Sequence, residues 1–106
     1  MADRDEVRLN SLDWMILEAL SDGRRYTQKF LSEDVEEFED VGYDWIRQRV
    51  AHLHGHGLIQ KVGSSSMYVI SDDGRAALDL KDEYDSEMPP AEFGQMVRDR
   101  AVERRD

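Results

Sequence analysis

Two short β-prone runs, LIQKV at 58–62 and MYVI at 67–70, stand four residues apart, and those four are Gly-Ser-Ser-Ser. β-Branched and aromatic residues suit a pleated, half-buried surface, and a small-residue link this short returns the second run alongside the first as an antiparallel hairpin. Gly55 and Gly57 end whatever precedes the first run. After the second run, the Ser71 hydroxyl is placed to cap a helix whose first turn holds Asp72 and Asp73, at the positive end of its dipole. The chain from His56 to Leu78 therefore reads as a helix end, a strand, a loop, a strand and a new helix.

Upstream of the hairpin the apolar period changes from two to near 3.6. Leu12, Met15, Ile16, Ala19 and Leu20, with Trp14 adjoining, predict an amphipathic helix over 11–22, capped by Asn10 or Ser11 and stopped at Gly23. A short extended stretch, Arg24 to Tyr26, leads to Thr27, the expected cap of a second helix from about Gln28 to about Glu37, with Leu31, Val35 and Phe38 in its stripe and Ser32 allowing close approach. A third helix runs from about Tyr43 to His56 with Ile46, Val50 and Leu53 inward. At roughly 100° per residue, Asp44, Gln48 and Ala51 lie opposite that stripe and Arg47 on its flank, so Tyr43, Asp44, Arg47 and Gln48 make an outward face.

A chain of 106 residues holds one small core. Residues 8–80 form the expected domain, and 81–106 a polar linker ending in Pro89 and Pro90 followed by a helix with Phe93, Met96, Val97 and Ala101 on one side. An isolated helix of that length is marginal in water, so it docks on the domain, pairs with a second copy, or frays.

Charge is distributed unevenly. Of 24 acidic residues 14 are Asp, and of 14 basic residues only Lys29, Lys61 and Lys81 are lysines, for a net charge of −10. Many compact carboxylates with few lysine stems suit a protein kept soluble at very high salt, and also any acidic protein that avoids nucleic acid. Within 23–71, six of the seven acids fall between Glu33 and Asp40; outside that run, Arg24, Arg25, Lys29, Arg47, Arg49 and Lys61 face only Asp44. If these segments converge, a basic face sits on an acidic body.

The ordered set RYTQKFLSEDV, IRQRVAHLHGHGLIQKVG and YVISDDGRAAL resembles the winged helix-turn-helix domains of archaeal transcription regulators, most closely the halophilic archaeal group that includes the phiH-type repressors. The resemblance spans roughly residues 8–80. It departs from the pattern at EEFEDVG, where a longer acidic junction replaces a tight glycine turn between helices two and three. The resemblance implies an α+β winged helix-turn-helix: a three-helix core with a short strand and a β-hairpin wing, then a fourth helix and a C-terminal helical extension. It implies sequence-specific double-stranded DNA binding as a transcription regulator, of the repressor kind, adapted to high salt.

Roles follow from that expectation. Tyr43, Asp44, Arg47 and Gln48 would read bases, since Arg pairs with guanine and Gln with adenine in the major groove. Arg24, Arg25, Thr27, Gln28 and Lys29 would hold phosphate at the start of helix two. Lys61, Ser64, Ser65 and Ser66 would form the wing. Arg49, one step from the core stripe, either touches DNA or pairs with an acid inside the domain. A homodimer is expected, because two-fold symmetry doubles a short helix's contact. Trp14, Phe93, Met96 and Val97 are its candidate seam. The alternative is an acidic winged helix that binds a protein partner or mimics DNA with its own carboxylates.

Other chemistries find little purchase. EDVEEFED lacks the central glycine and closing glutamate of a calcium loop. His52, His54 and His56 step by about 200° on a helix rather than converging on a metal. With no cysteine there is no thiolate site. No nucleophile with base and orienter, no phosphate loop and no paired carboxylates stand out, so neither enzymatic activity nor a cofactor is expected. The N-terminus lacks a basic-then-apolar signal and no run reaches the ~20 apolar residues of a membrane span, which predicts a cytoplasmic protein that does not enter the membrane. At molar salt the Debye length is ~3 Å, so distant like charges hardly repel DNA, and base contacts must carry binding.

Overall fold

The computed structural model describes residues 8–34, 38, 40–85 and 87–105. The described chain is α+β, with five α-helices and a three-stranded antiparallel sheet. Its order is helix α1 (Ser11–Ala19), strand β1 (Tyr26–Thr27), α2 (Gln28–Asp34), α3 (Tyr43–Gly55), β2 (Ile59–Lys61), β3 (Met67–Ile70), α4 (Asp72–Asp79) and α5 (Pro90–Arg105).

Helix α1 starts in a reciprocal cap. The Asn10 side chain accepts from the Asp13 N–H, and the Asp13 carboxylate accepts from the Asn10 N–H, both at 2.9 Å, satisfying two end groups at once. The predicted helix 11–22 tightens at its last turn: Leu20–Asp22 is 3₁₀, and Gly23 leaves it at φ 80°, where a side chain would be strained. Thr27 caps α2 as expected, its Oγ1 accepting the Phe30 N–H at 3.0 Å. Val35 and Glu37, placed in helix two by periodicity, lie outside the described residues, as do Glu36 and Glu39 of the acidic run.

Strand β3 is central, in the order β1-β3-β2. Tyr26 pairs with Tyr68 and Thr27 with Met67; on the other side Ile59, Gln60 and Lys61 pair with Ile70, Val69 and Tyr68. Alternation sends Ile59 and Ile70 into the core, where both are buried. The link between β2 and β3 turns through Gly63 at φ 56°, and Ser65 Oγ donates to the Val62 carbonyl.

Ser71 secures the hairpin to α4 twice: its Oγ accepts the Gly74 N–H at 3.0 Å and donates to the Gly57 carbonyl at 2.6 Å. Leu12, Ile16, Leu17, Leu20, Leu31, Phe38, Ile46, Val50, Leu53 and Leu58 fill the centre. Burying each such apolar side chain contributes about 1.5–3 kcal/mol.

The C-terminal helix docks. Phe93, Val97 and Ala101 are buried and Met96 half-buried, with α5 packed along α4. Pro90 stands at its first position, where the missing N–H costs nothing. The linker is held too: Tyr84 meets Trp14 and Phe93 edge to face at 5.6 and 4.8 Å, and its hydroxyl accepts the Leu9 N–H at 3.1 Å. Of the expected dimer seam, Trp14, Phe93 and Val97 are covered within one chain, because the short stripe of α5 and the first helix satisfy each other, and only Met96 keeps partial exposure. Among the described residues no helix is long and apolar enough to cross a membrane.

Candidate nucleic-acid interface

Helix α3 turns Ile46, Val50 and Leu53 fully inward and leaves Tyr43, Asp44, Arg47, Gln48 and Ala51 exposed. Arg47 and Asp44 stand 3.9 Å apart with both side chains largely in water, a pairing worth little that leaves the guanidinium available. Arg49 goes the other way. Its Nε and Nη2 donate to the two carboxylate oxygens of buried Asp13 at 2.7 and 2.5 Å, so of its two expected fates the internal ion pair is the one realised.

The three histidines at the C-terminal end of α3, with His56 as its cap, point to two sides. The His52 and His56 rings meet at 4.5 Å, one helical turn apart, and His52 Nε2 lies 2.9 Å from the Arg8 carbonyl. His54 meets Tyr68 of β3 edge to face at 5.8 Å. At about 100° per residue, Tyr43, Arg47 and His54 fall on one flank of α3. Because His54 touches Tyr68, that flank is turned toward the sheet.

The register of the sheet brings two more groups together. Lys61 is paired with Tyr68 and Tyr68 with Tyr26, so Lys61 lies two strand spacings, about 10 Å, from the residue that follows Arg25. Arg24, Arg25, Tyr26, Thr27, Phe30 and Met67 line an open groove there, floored by the stacked Tyr26 and Phe30 rings at 5.3 Å. The Tyr26 hydroxyl donates to Asp22 at 2.5 Å, which holds the Asp22 carboxyl below its ordinary range and pushes the Tyr26 phenol up; the Arg24 N–H and guanidinium add to the first effect. Lys29 is exposed on α2 and Gln28 half-buried, while Ser64, Ser65 and Ser66 are all exposed at the hairpin tip.

How the cations are paired separates them into two sets. Lys81 is bound to Glu18, Arg100 and Arg104 to Asp79, and Arg105 to Asp72 and Asp73. By contrast, Arg8, Arg25, Lys29, Lys61 and Arg75 form no ion pair with any described residue, and Arg24 reaches Asp22 only at 3.9 Å. Glu33 and Asp40 of the acidic run are exposed; its other acids lie outside the described residues or have no described side chain.

Four exposed apolar residues were not singled out by sequence: Phe30, Trp45, Met67 and Val102, exposed by 42, 45, 40 and 54%. The signal was present for two of them. Phe30 sits one position before Leu31 of the inward stripe, and Trp45 about 100° away from Ile46, each off the buried side of its helix. Among the described residues no group of three or more His, Cys, Asp or Glu is arranged to hold a metal ion. Comparison with protein-family models, curated proteins and solved structures returned no match.

Proposed function

We propose that this chain is a winged helix protein that binds double-stranded DNA as a transcription regulator working in high salt. In this reading β2 and β3 are the wing, α2 and α3 the helix-turn-helix pair, and the outward side of α3 enters the major groove. The observation that carries it is the partition of cations. Arg100, Arg104 and Arg105 are consumed by aspartates, whereas Arg25, Lys29 and Lys61, on the elements that would flank DNA, meet no described carboxylate.

Arg47 and Gln48 then read bases, helped by Tyr43 and Asp44, while Arg24, Arg25, Thr27, Gln28 and Lys29 set register on phosphate. Lys61 and the serines at 64–66 reach the backbone beside them. Two copies on a two-fold site would double this footprint, with the seam elsewhere than the buried Trp14, Phe93 and Val97. A second reading, docking of a protein partner, is favoured by one observation: the Tyr26, Phe30 and Met67 groove is more apolar than phosphate requires.

The test is a selection of random duplex DNA by the protein in molar potassium chloride. Enrichment of a defined motif, lost when Arg47 and Gln48 are both changed to Ala in a protein that melts normally, is the expected result. Retained preference in that variant removes both residues from the site, and failure to enrich any motif ends the DNA-reading hypothesis.

A further inference from the structure

Trp45 is the third residue of α3, 45% exposed, and it is held from beneath. The Arg49 guanidinium carbon lies 5.7 Å from the centre of its ring, and that guanidinium is fixed at two points by the fully buried Asp13. Trp45 is therefore an indole kept in water by a rigid support.

Its bearing on the helix gives it a place. Around α3, at about 100° per residue, Trp45 stands about 80° to one side of the midline between Asp44 and Gln48, and Arg47 about 80° to the other. The outward surface is thus bordered by a guanidinium toward the sheet and an indole toward α1.

We infer that Trp45 is a specificity-determining residue of the DNA interface, packing its ring on the methyl group of a thymine; this rests on the DNA-binding reading above. In the major groove the thymine methyl is the apolar feature presented by base pairs. Residues near the N-terminus of a groove-entering helix are those nearest base edges. Phosphate is the poorer match: the ring carries no charge, and the one guanidinium against it already has both carboxylate oxygens of Asp13 as partners. A large, braced aromatic group is also the side-chain type that concentrates binding energy at interfaces.

The experiment starts from the duplex that the wild-type protein selects in molar potassium chloride. Each thymine is replaced singly by uracil, which removes the methyl and nothing else. At one position per half-site the wild type is expected to bind roughly three- to fivefold more weakly, the effect of one buried carbon. The Trp45→Ala variant should bind the thymine and uracil versions of that position equally, while keeping the base preferences assigned to Arg47 and Gln48. Trp14, the remaining tryptophan, is buried, so a blue-shifted emission that moves to the red in denaturant reports that the variant is folded. Wild-type indifference to uracil at every position, or an equal loss in Trp45→Ala, overturns the inference while DNA binding stands. Failure of the wild type to select any duplex removes the DNA reading and this inference together.

Discussion

Both carboxylate oxygens of Asp13 are taken by Arg49, at 2.7 and 2.5 Å, which makes a two-point charged link between α1 and α3 with the acid fully buried. One of those oxygens also accepts the Asn10 N–H. A buried ion pair contributes little net stability, but removing one partner strands the other in a poorly solvated place. Asp13→Ala and Arg49→Ala should each lose about 3 kcal/mol in urea unfolding. The double variant should lose clearly less than the sum, since the second change removes the stranded charge. Additive losses would mean the two groups act independently.

Gly74 shows a close approach that outweighs helix propensity. It lies in α4, where alanine is the better helix former by about 1 kcal/mol. A Cβ at this position would stand 2.1 Å from the Leu58 carbonyl oxygen and 2.7 Å from Ile70 Cγ1, and the oxygen belongs to backbone that cannot swing aside. Gly74→Ala is expected to destabilise by about 2 kcal/mol or more, as over-packing does, with a lower thermal midpoint. A stability gain would show that β2 moves freely against α4.

The elements were largely legible because their signals are local. Thr27 and Ser71 announce helix starts through side-chain oxygens within three residues of the N–H they accept, and Leu12, Ile16, Ile46, Val50 and Leu53 repeat at the period that buries them. The Asp13–Arg49 link spans 36 residues, and nothing in the spacing of either names its partner. The close contact at Gly74 likewise depends on where Leu58 comes to rest, so a glycine inside DDGRAAL reads only as a weak helix residue. The C-terminal stripe was visible as apolar, yet docking and pairing with a second copy predict the same pattern. Tyr84, from a stretch that reads as a polar linker, joins Phe93 to Trp14 in the docked arrangement. At the candidate interface, residue types in the right order suggested the roles, while the cation partition became visible only when arginines 100, 104 and 105 were seen to meet aspartates of α4.

On the DNA-binding reading, that partition has a measurable consequence. Each cation that neutralises a phosphate on duplex DNA adds about 0.9 to the slope of log affinity against log salt. Arg25→Ala, Lys29→Ala and Lys61→Ala should each shallow that slope by nearly one unit while leaving the preferred site unchanged. Arg100→Ala, whose guanidinium is engaged by Asp79 and Glu103, should leave the slope as it was. A flat response to all three cation changes would place the phosphate backbone elsewhere.

His52 makes stability depend on pH in a direction set by burial. Desolvation pushes its pKa below the ordinary 6.5; the Arg8 carbonyl and Asp13 pull upward, and Arg49 and His56 oppose a further positive charge. The unfolded chain therefore takes up a proton on this ring near pH 6.5, while the folded chain stays neutral to a lower pH. Between those two points the unfolded state holds more protons, so stability falls as pH drops through 6.5 and levels off once the folded ring also protonates. The contribution is fully present above 6.5. His52→Gln keeps an amide donor for the Arg8 carbonyl and cannot gain the charge, so its urea midpoint should decline less than that of the wild type between pH 7 and pH 5. Parallel declines in the two proteins would show that the loss over this range comes from other groups.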